Sequence, residues 1–300
     1  MLQNITVSIQ QLENTHTQQM AIAYMLIAYL FHAIQATFYK CAHSTIVPQF
    51  MFVTSFISFI VLYFVQLNQN MYPKEQMPHI IKSQALIGIG TLFYFYGVNF
   101  ISLSEAVILF CTNSIWSQIM VSIMNKERIT KSRLFNSILC IIGVTLIANP
   151  SIQSQDPLQH VIGCVSILIC SIVQSYAFII MKQIGTKIPS SVTVTYFHFI
   201  MLILSSLQQQ FIAQFEYFDN YFFFSLGFSI FTLLAQVIKF RAQTMVTYDK
   251  ICNYSYSQMI YIIIIDYFVF RSILTIYGFI GALFIISGVY KQLIEDKKNK

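Results

Sequence analysis

Charged residues are scarce in this sequence. Asp, Glu, Lys and Arg make up 9% of its 300 residues, whereas 56% are hydrophobic and the mean hydropathy is +0.66. A water-soluble domain has about a quarter of its residues charged, and it could not bury this much apolar surface. The composition therefore excludes a water-soluble globular protein and predicts a chain that lies in a bilayer.

Several functional motifs are also missing. The sequence contains no HExxH, Gly-x-Gly-Asp, GxSxG, P-loop or GxGxxG, which argues against the common hydrolases, metalloproteases and nucleotide-binding enzymes. Its six cysteines form no CxxC pair and lie mostly in apolar runs, so neither a zinc site nor a disulfide framework is expected. Residues 1–19 hold no Lys or Arg, so we expect no cleavable signal peptide. The sequence predicts no enzyme activity, metal or cofactor.

Long apolar runs are what the sequence has instead. A hydrocarbon core of about 30 Å needs roughly 20 apolar residues per helix, and ten runs come near that length. They cover residues 20–39, 46–65, 85–100, 106–123, 134–148, 161–181, 192–211, 222–240, 251–270 and 273–290. The runs are continuous rather than alternating in polarity. The predicted fold class is an all-α membrane protein with ten transmembrane helices.

Basic residues predict the orientation of these helices. If the N-terminus is cytoplasmic, 15 of the 17 Lys and Arg residues fall on the inner side, and only Lys40 and Arg271 fall outside. Both termini, residues 1–19 and the basic tail 293–300, are therefore expected in the cytoplasm. The net charge of +6 follows from this bias, so nucleic-acid binding is not expected.

The C-terminal residues KKNK resemble a dilysine retrieval signal. In a eukaryotic protein such a signal, carried here by Lys297 and Lys298, predicts the endoplasmic reticulum or Golgi membrane. The alternative is that this basic tail only obeys the positive-inside rule.

An internal repeat underlies the ten runs. Three pairs of identical residues lie 145 positions apart: Thr130 and Thr275, Gly143 and Gly288, Val144 and Val289. Earlier in each half, the segments ATFYK and AFIIMK correspond at offsets of 141 to 142. The chain is thus predicted to contain two five-helix units, residues 20–150 and 157–292. Because five is odd, the second unit is inverted in the membrane, as in many secondary transporters.

Two halves with these patterns resemble the EamA-type drug/metabolite transporter superfamily. Six residues match the family's terminal pattern in the two halves: Glu127, Thr130, Gly143, Thr275, Gly281 and Gly288. Asn136 and Ser272 depart from it, because they stand where a glycine and a glutamate are usual. The resemblance implies a ten-helix exporter or antiporter for small metabolites, among them nucleotide sugars, triose phosphates, amino acids and drugs.

Polar residues within the apolar runs are candidates for a substrate cavity, since polar groups in hydrocarbon are costly. His32, Gln35 and Tyr39 share one face of the first run by their spacing of 3 and 4. Gln174 occupies the corresponding position to His32 in the second unit. We interpret these four residues as substrate-binding. The alternative is that His32 and Gln174 satisfy one another between helices.

The fourth and ninth runs add five more candidates. Asn113 and Trp116 lie well inside the fourth run, away from either helix end. In the ninth run Asn253, Ser257 and Tyr261 follow one another at i, i+4 and i+8, which places them on one face. We expect all five to contact a substrate, with ordinary interhelical packing as the alternative for Trp116.

Charged residues near the runs are the last candidates. Lys239 shares a helix face with other polar residues and is predicted to attract an anionic substrate, although snorkelling to the headgroups is the alternative. Lys40 adds to the basic lining. Asp266 lies five residues before Arg271. Asp266 could pair with Arg271 or Lys40 as a gate at the outer mouth.

Taken as a set, these features predict a secondary transporter that moves a small polar or anionic metabolite by alternating access, with the substrate and the lipid bilayer as its partners. Small residues in the fifth and tenth runs, Gly143 and Gly281 among them, could serve either a homodimer or a contact within one chain. The alternative function is that of a transport-inactive family member acting as a membrane scaffold or interaction partner.

Overall fold

The computed structural model describes residues 11–42, 47–66, 74–98, 100–101, 103–126, 131–148, 157–211, 222–271 and 276–298. Within these ranges the chain is helical and contains no strand, which confirms the all-α class. The helices are α1 Thr17–Ala42, α2 Val47–Val65, α3 Met77–Val98, α4 Leu103–Cys111, α5 Asn113–Asn125, α6 Lys131–Ala148, α7 Pro157–Ile184, α8 Ser190–Phe211, α9 Phe222–Met245, α10 Tyr248–Ile251, α11 Ser257–Phe270 and α12 Ile276–Lys298. A 3₁₀ helix, Cys252–Tyr256, joins α10 to α11.

Five stretches of the described helices are long and apolar enough to cross a membrane: Thr17–Phe38, Ala106–Met124, Pro157–Ile184, Ser190–Leu207 and Phe223–Met245. Two shorter apolar helices cover Met51–Val65 and Ile276–Lys291. Large apolar side chains on the outside of the bundle are widely exposed, for example Phe223 (79%) and Phe268 (75%). Such a surface is costly in water and favourable in lipid. The protein is an integral membrane protein.

The two halves of the chain pack against each other rather than each alone. The most extensive helix contacts join α1 with α9, α3 with α7, α6 with α12 and α2 with α8. Every one of these pairs takes one helix from before residue 149 and one from after residue 156. The largest buried cluster includes Met25, Phe178, Phe240 and Tyr248, which come from both halves. The core is therefore shared.

Corresponding structural features lie 145 residues apart. Helices α4 and α10 begin, α5 and α11 end, and α6 and α12 begin at these pairs: Leu103 and Tyr248, Asn125 and Phe270, Lys131 and Ile276. Lys126 and Arg271, also 145 apart, have φ of 55° and 53° and are the only non-glycine residues with positive φ in the described ranges. A left-handed backbone is costly for residues with a side chain. The same strained turn therefore ends α5 and α11.

Three glycines bring α6 and α12 into backbone contact. A Cβ on Gly143 would lie 2.5 Å from the carbonyl oxygen of Gly281, and a Cβ on Gly281 would lie 2.5 Å from that of Gly143. A Cβ on Gly288 would lie 3.0 Å from the carbonyl oxygen of Asn136 and would collide with Cys140 Sγ. Of the two roles predicted for these small residues, the structure assigns them the contact within one chain.

Candidate functional site

One face of α7 carries Gln174 and contacts two other predicted site residues, Asn113 and Lys239. Ser171, Gln174, Ser175 and Phe178 recur at i, i+3, i+4 and i+7, so they share a side of the helix, and all four are buried. We call these four residues the α7 stripe. Helix α7 packs against α3, α5 and α9, so the stripe lies among helices of both halves.

The stripe holds the break between α4 and α5. The Ser175 hydroxyl donates to the carbonyl oxygen of Asn113 at 2.8 Å, and the Ser171 hydroxyl lies 3.1 Å from Oγ1 of Thr112, the residue at the break. Ser171 also donates to the carbonyl oxygen of Phe110 at 3.4 Å. In a bilayer an irregular backbone persists only where such partners replace water. The two serines therefore stabilise the interruption of this span by hydrogen-bonding to backbone carbonyls on both sides of it.

The side chain of Asn113 has an acceptor without a partner among the described residues. Its backbone carbonyl is held by Ser175, but Oδ1 is buried and finds no hydrogen-bond partner within the described ranges. Trp116, one turn further on, is half-buried, and its Nε1 likewise finds no partner there. This acceptor and this donor of α5 thus remain unsatisfied inside the bundle, which is costly unless a ligand or water meets them.

Lys239 of α9 lies inside the bundle between aromatic rings. Its Nζ is 4.8 Å from the centroid of the Phe178 ring and 5.9 Å from that of Tyr29. Cation–π contacts of this kind contribute about 2 kcal/mol when desolvated and so offset part of the dehydration of the ammonium group. In the described part of the chain no acidic residue pairs with Lys239, since both ion pairs found there involve other residues.

His32 lies beside Lys239 and Tyr29. Its ring centroid is 5.7 Å from that of Tyr29, and its Nδ1 is 2.7 Å from Oε1 of Gln35. Because an amide oxygen only accepts, Nδ1 carries the proton in this arrangement and Nε2 is left as an acceptor. Nε2 is buried and has no partner among the described residues. His32 and Gln35, which were predicted to share one helix face, are thus in direct contact.

Gln174 does not hydrogen-bond to His32, its predicted counterpart. It belongs to the contact between α7 and α3, where Nε2 lies 3.4 Å from Oγ1 of Thr91, and a Cβ on Gly90 would lie 2.7 Å from its Cγ. The stripe separates two groups of predicted residues: Phe178 meets Lys239, whereas Ser175 meets Asn113.

The predicted residues of the ninth span have separate surroundings. Oδ1 of Asn253 accepts from the Ser137 hydroxyl at 2.7 Å, and Nε2 of Gln118 lies 2.6 Å from the same hydroxyl, so a polar chain joins α5, α6 and the 3₁₀ helix. Ser257 donates to the carbonyl oxygen of Tyr254 at 2.7 Å, within its own segment. Tyr261 is half-buried and packs against the main core.

Several predicted residues fall outside what the structure describes. The side chains of Tyr39, Lys40 and Asp266, and residues 127–130 and 272–275 entirely, are not among the described parts. Arg271 is described: it is exposed and occupies the left-handed position directly after α11. Its pairing with Asp266 or Lys40 as a gate stays a prediction.

Charged contacts cluster at one end of the bundle. Arg133 of α6 pairs with Asp249 of α10 at 3.0 Å. Lys182, near the end of α7, donates to the carbonyl oxygens of Thr244 and Met245 at the end of α9. A basic side chain at a helix C-terminus is favoured because free carbonyls carry negative partial charge there. We call the end of the bundle formed by these residues the basic end.

A second ion pair ties the residues before α1 to the basic end. The Arg241 guanidinium donates to both carboxylate oxygens of Glu13, from Nε at 3.1 Å and from Nη2, and Nη1 donates to the carbonyl oxygen of Thr186 at 2.5 Å. The Tyr24 hydroxyl donates to Glu13 Oε1 at 3.0 Å. Sequence reasoning missed this pair, since its partners lie 228 positions apart. The one signal in the sequence was that Glu13 is the only acidic residue of the polar segment 1–19.

A pocket of about 400 Å³ opens beside this ion pair. Its polar lining comes from Tyr24, Thr186, Lys187, Ser190, Ser191 and Arg241. The predicted site residues do not line it. The basic end therefore holds a cavity separate from the residues around Lys239.

Known proteins resemble the chain in both sequence and fold. Two proteins of Helicobacter pylori described as uncharacterized transporters, from strains 26695 and J99, are 26% and 25% identical to it over 117 residues. Each match covers 39% of this chain and 38% of the relative, so the match spans about two fifths of these relatives. A solved crystal structure matches 93% of this chain and 98% of its own at a TM-score of 0.79 and 12% identity, which shows a shared fold.

The family resemblance stated above is confirmed on the first half of the chain. Residues 19–149 match the sequence model of the EamA-like transporter family. The apolar helices of the structure and the relatives described as transporters agree with that match. The protein is thus an integral membrane protein whose residues 19–149 are similar to the EamA-like transporter family.

Proposed function

We propose that the protein is a secondary transporter that moves a small anionic or polar metabolite by alternating access. Lys239 carries this proposal: an ammonium group lies between the rings of Tyr29 and Phe178, with no acidic partner in the described part of the chain. An intramembrane charge is expensive and is retained mainly where it meets a substrate or an ion. A carboxylate or phosphate group would supply the missing countercharge.

A neighbouring polar atom gives the site further selectivity. Nε2 of His32 offers an acceptor that is buried without a partner in the described ranges. A ligand with both a hydroxyl and an acidic group would satisfy this atom together with Lys239. Such pairing distinguishes polar metabolites strongly, because a ligand that lacks the group leaves a buried atom unpaired. This supports a polar substrate over an apolar drug.

Two inverted five-helix units, residues 20–150 and 157–292, form the proposed moving parts. The glycine contacts of α6 and α12 support this arrangement. Gly143 approaches the backbone of Gly281 and Ile285, and Gly288 approaches that of Asn136 and Cys140. Adding 145 to 143, 136 and 140 gives 288, 281 and 285, so each contact has its counterpart under exchange of the two units, as a twofold relation requires.

The large helix contacts support the same relation. If the two units are exchanged, α1, α2, α3 and α6 take the places of α7, α8, α9 and α12. The contact of α1 with α9 then becomes that of α7 with α3, whereas the contacts of α2 with α8 and of α6 with α12 are unchanged. We propose that both termini face the cytoplasm, which puts the basic end inside as the positive-inside rule requires. The structure then has its cytoplasmic end held together by the ion pairs of Arg133 and Arg241.

The test is uptake and countertransport in proteoliposomes, screened over carboxylates, phosphorylated metabolites, amino acids and sugars. The pair of variants is Lys239→Gln and Lys291→Gln, since Lys291 lies over the ring of Phe135 at the basic end and does not reach Lys239. We expect Lys239→Gln to lose transport of the anionic substrate and Lys291→Gln to keep it. Transport that survives unchanged in Lys239→Gln would remove this site.

A scaffold without transport activity is the second candidate. The observation in its favour is that aromatic rings, those of Tyr29, Phe178 and Tyr248, fill the space around Lys239, while the described pocket lies elsewhere. A scaffold would show no countertransport of any compound in the screen. It would also tolerate Lys239→Met in its interactions, whereas a transporter would not tolerate this change in its activity.

A further inference from the structure

The carboxylate of Glu13 is held as a bound anion would be. Two nitrogens of the Arg241 guanidinium face its two oxygens, and the Tyr24 hydroxyl donates to one of them. The side chains of Glu13 and Arg241 are 8% and 21% exposed. A planar guanidinium binds carboxylate and phosphate groups in this two-pronged geometry. Arg241 and Tyr24 together make a recognition site for an oxyanion.

Arg241 is held in place by more than Glu13. Its Nη1 donates to the carbonyl oxygen of Thr186, in the turn between α7 and α8. If Glu13 left, this hydrogen bond would keep the guanidinium oriented. A group that is already oriented loses less entropy when a ligand binds.

The pocket next to the pair is basic. Of its lining residues, Lys187 and Arg241 are cationic and none is acidic, while Ser190 and Ser191 are the first residues of α8. The positive end of the helix dipole adds to the field of the two cations there. With about 400 Å³, the space exceeds what one carboxylate needs.

We propose that this pocket is an anion-binding site at the basic end of the bundle, for a phosphate or carboxylate group, and that Glu13 occupies its Arg241 in the structure as an internal competitor. An ion pair with a structural role alone would not require a basic cavity beside it. The ligand's anionic group takes the place of the Glu13 carboxylate, and Lys187 meets its remaining charge. Binding would thereby release residues before α1 from α9.

The experiment measures binding directly, without any transport. Full-length protein is placed in nanodiscs of phosphatidylcholine alone, with inorganic phosphate titrated as the probe, or in nanodiscs that also contain phosphatidylserine, without phosphate. Wild type is compared with Glu13→Gln, Lys187→Gln and the double variant Glu13→Gln/Arg241→Gln, which leaves no unpaired charge at the pair. Lys291→Gln is the control for a general loss of surface charge. The readouts are the Tm and the rate of proteolysis ahead of α1.

We expect Glu13→Gln to bind about tenfold more tightly than wild type, the effect of removing a competitor worth about 1.4 kcal/mol. Lys187→Gln should weaken binding, the double variant should abolish it, and Lys291→Gln should match wild type. A response to phosphate identifies a soluble anion, and a response to phosphatidylserine alone identifies a lipid headgroup. The proposal fails if Glu13→Gln gains nothing from either probe, if the double variant binds as Glu13→Gln does, or if Lys291→Gln loses binding equally.

Discussion

Arg133 at the start of α6 and Asp249 at the start of α10 lie 3.0 Å apart, from Nη1 to Oδ2, and join two halves of the chain across 116 residues of sequence. Their side chains are 17% and 10% exposed, so the pair is largely shielded from water. Ser137, which accepts from Gln118 and donates to Asn253, lies one helical turn further along α6. The pair therefore closes a polar path that links α5, α6 and the 3₁₀ helix.

Breaking this pair is expected to destabilise the protein. Arg133→Gln leaves the largely buried Asp249 carboxylate without its countercharge, which should cost about 2–3 kcal/mol. Thermal unfolding in detergent measures the effect, and the double variant Arg133→Gln/Asp249→Asn should recover most of the lost Tm. Single variants that unfold at the wild-type temperature would show that the pair contributes nothing.

Lys239→Met is expected to stabilise the protein while abolishing transport. Replacing a buried charge by an apolar side chain of similar length is often neutral or stabilising by about 1–4 kcal/mol. The Tm should therefore stay or rise, whereas uptake of the anionic substrate should fall to background. Lys239→Arg, which keeps the charge, is the control and should retain measurable uptake. A clear drop in Tm for Lys239→Met would instead assign Lys239 a structural role.

The glycine contacts of α6 and α12 should not tolerate a methyl group. Gly143→Ala places a Cβ 2.5 Å from the carbonyl oxygen of Gly281, so the helices must separate at a cost of about 1–3 kcal/mol. Ser287→Ala, at an exposed position of α12, should leave the Tm unchanged. Thermal unfolding of the two variants decides the point. Equal Tm values would mean that the backbones do not touch at Gly143.

Arg271→Gly separates a conformational role from a gating role. Glycine adopts the left-handed backbone of this position readily, so the change should be neutral or stabilising by roughly 1 kcal/mol. Lys126→Gly, at the equivalent turn, should behave alike, whereas Lys131→Gly in the first turn of α6 should destabilise. If Arg271→Gly is stable yet transports more slowly, the charge gates the outer mouth. Unchanged transport would end that hypothesis.

The pair of Glu13 and Arg241 predicts a specific acid sensitivity. Burial raises the pKa of Glu13, but the hydrogen bond and charge of Arg241 and the Tyr24 hydroxyl outweigh it and hold the pKa below its ordinary value of 4.5. A carboxyl group with a lowered native pKa stabilises the fold above its unfolded pKa, and this contribution is lost as the pH falls through the native value. Wild type and Glu13→Gln should therefore differ by a constant Tm between about pH 5 and 8 and converge only in stronger acid. Convergence near neutral pH would contradict this assignment.

Much of the helical content follows from the sequence because hydrophobic length is a local property. The breaks were not predicted. The predicted spans run through Thr112 and through Cys252–Tyr256, and the partners that permit an interruption, such as Ser171 and Ser175, lie on another helix. The spacing of 3 and 4 along the α7 stripe was visible in the sequence, but only packing shows which neighbour it meets.

The candidate site was predictable in part for the same reason. The contact between His32 and Gln35 follows from helical spacing alone. The rings around Lys239 and the ion pair of Glu13 with Arg241 depend on contacts between residues distant in sequence. The distribution of Lys and Arg along the sequence predicted that one end of the bundle is rich in basic residues, but it does not show which residues pair there.

At Thr112, backbone bonds along the span, from Thr112 N to Leu109 O and from Trp116 N to Thr112 O, are joined by bonds that run sideways, from α7 to the carbonyl oxygens of α4 and α5. Axial bonds make a transmembrane helix a stiff rod, because bending it stretches several of them at once. Here both halves of the span are also bonded to α7. The fourth span is therefore expected to move together with α7 rather than independently of it.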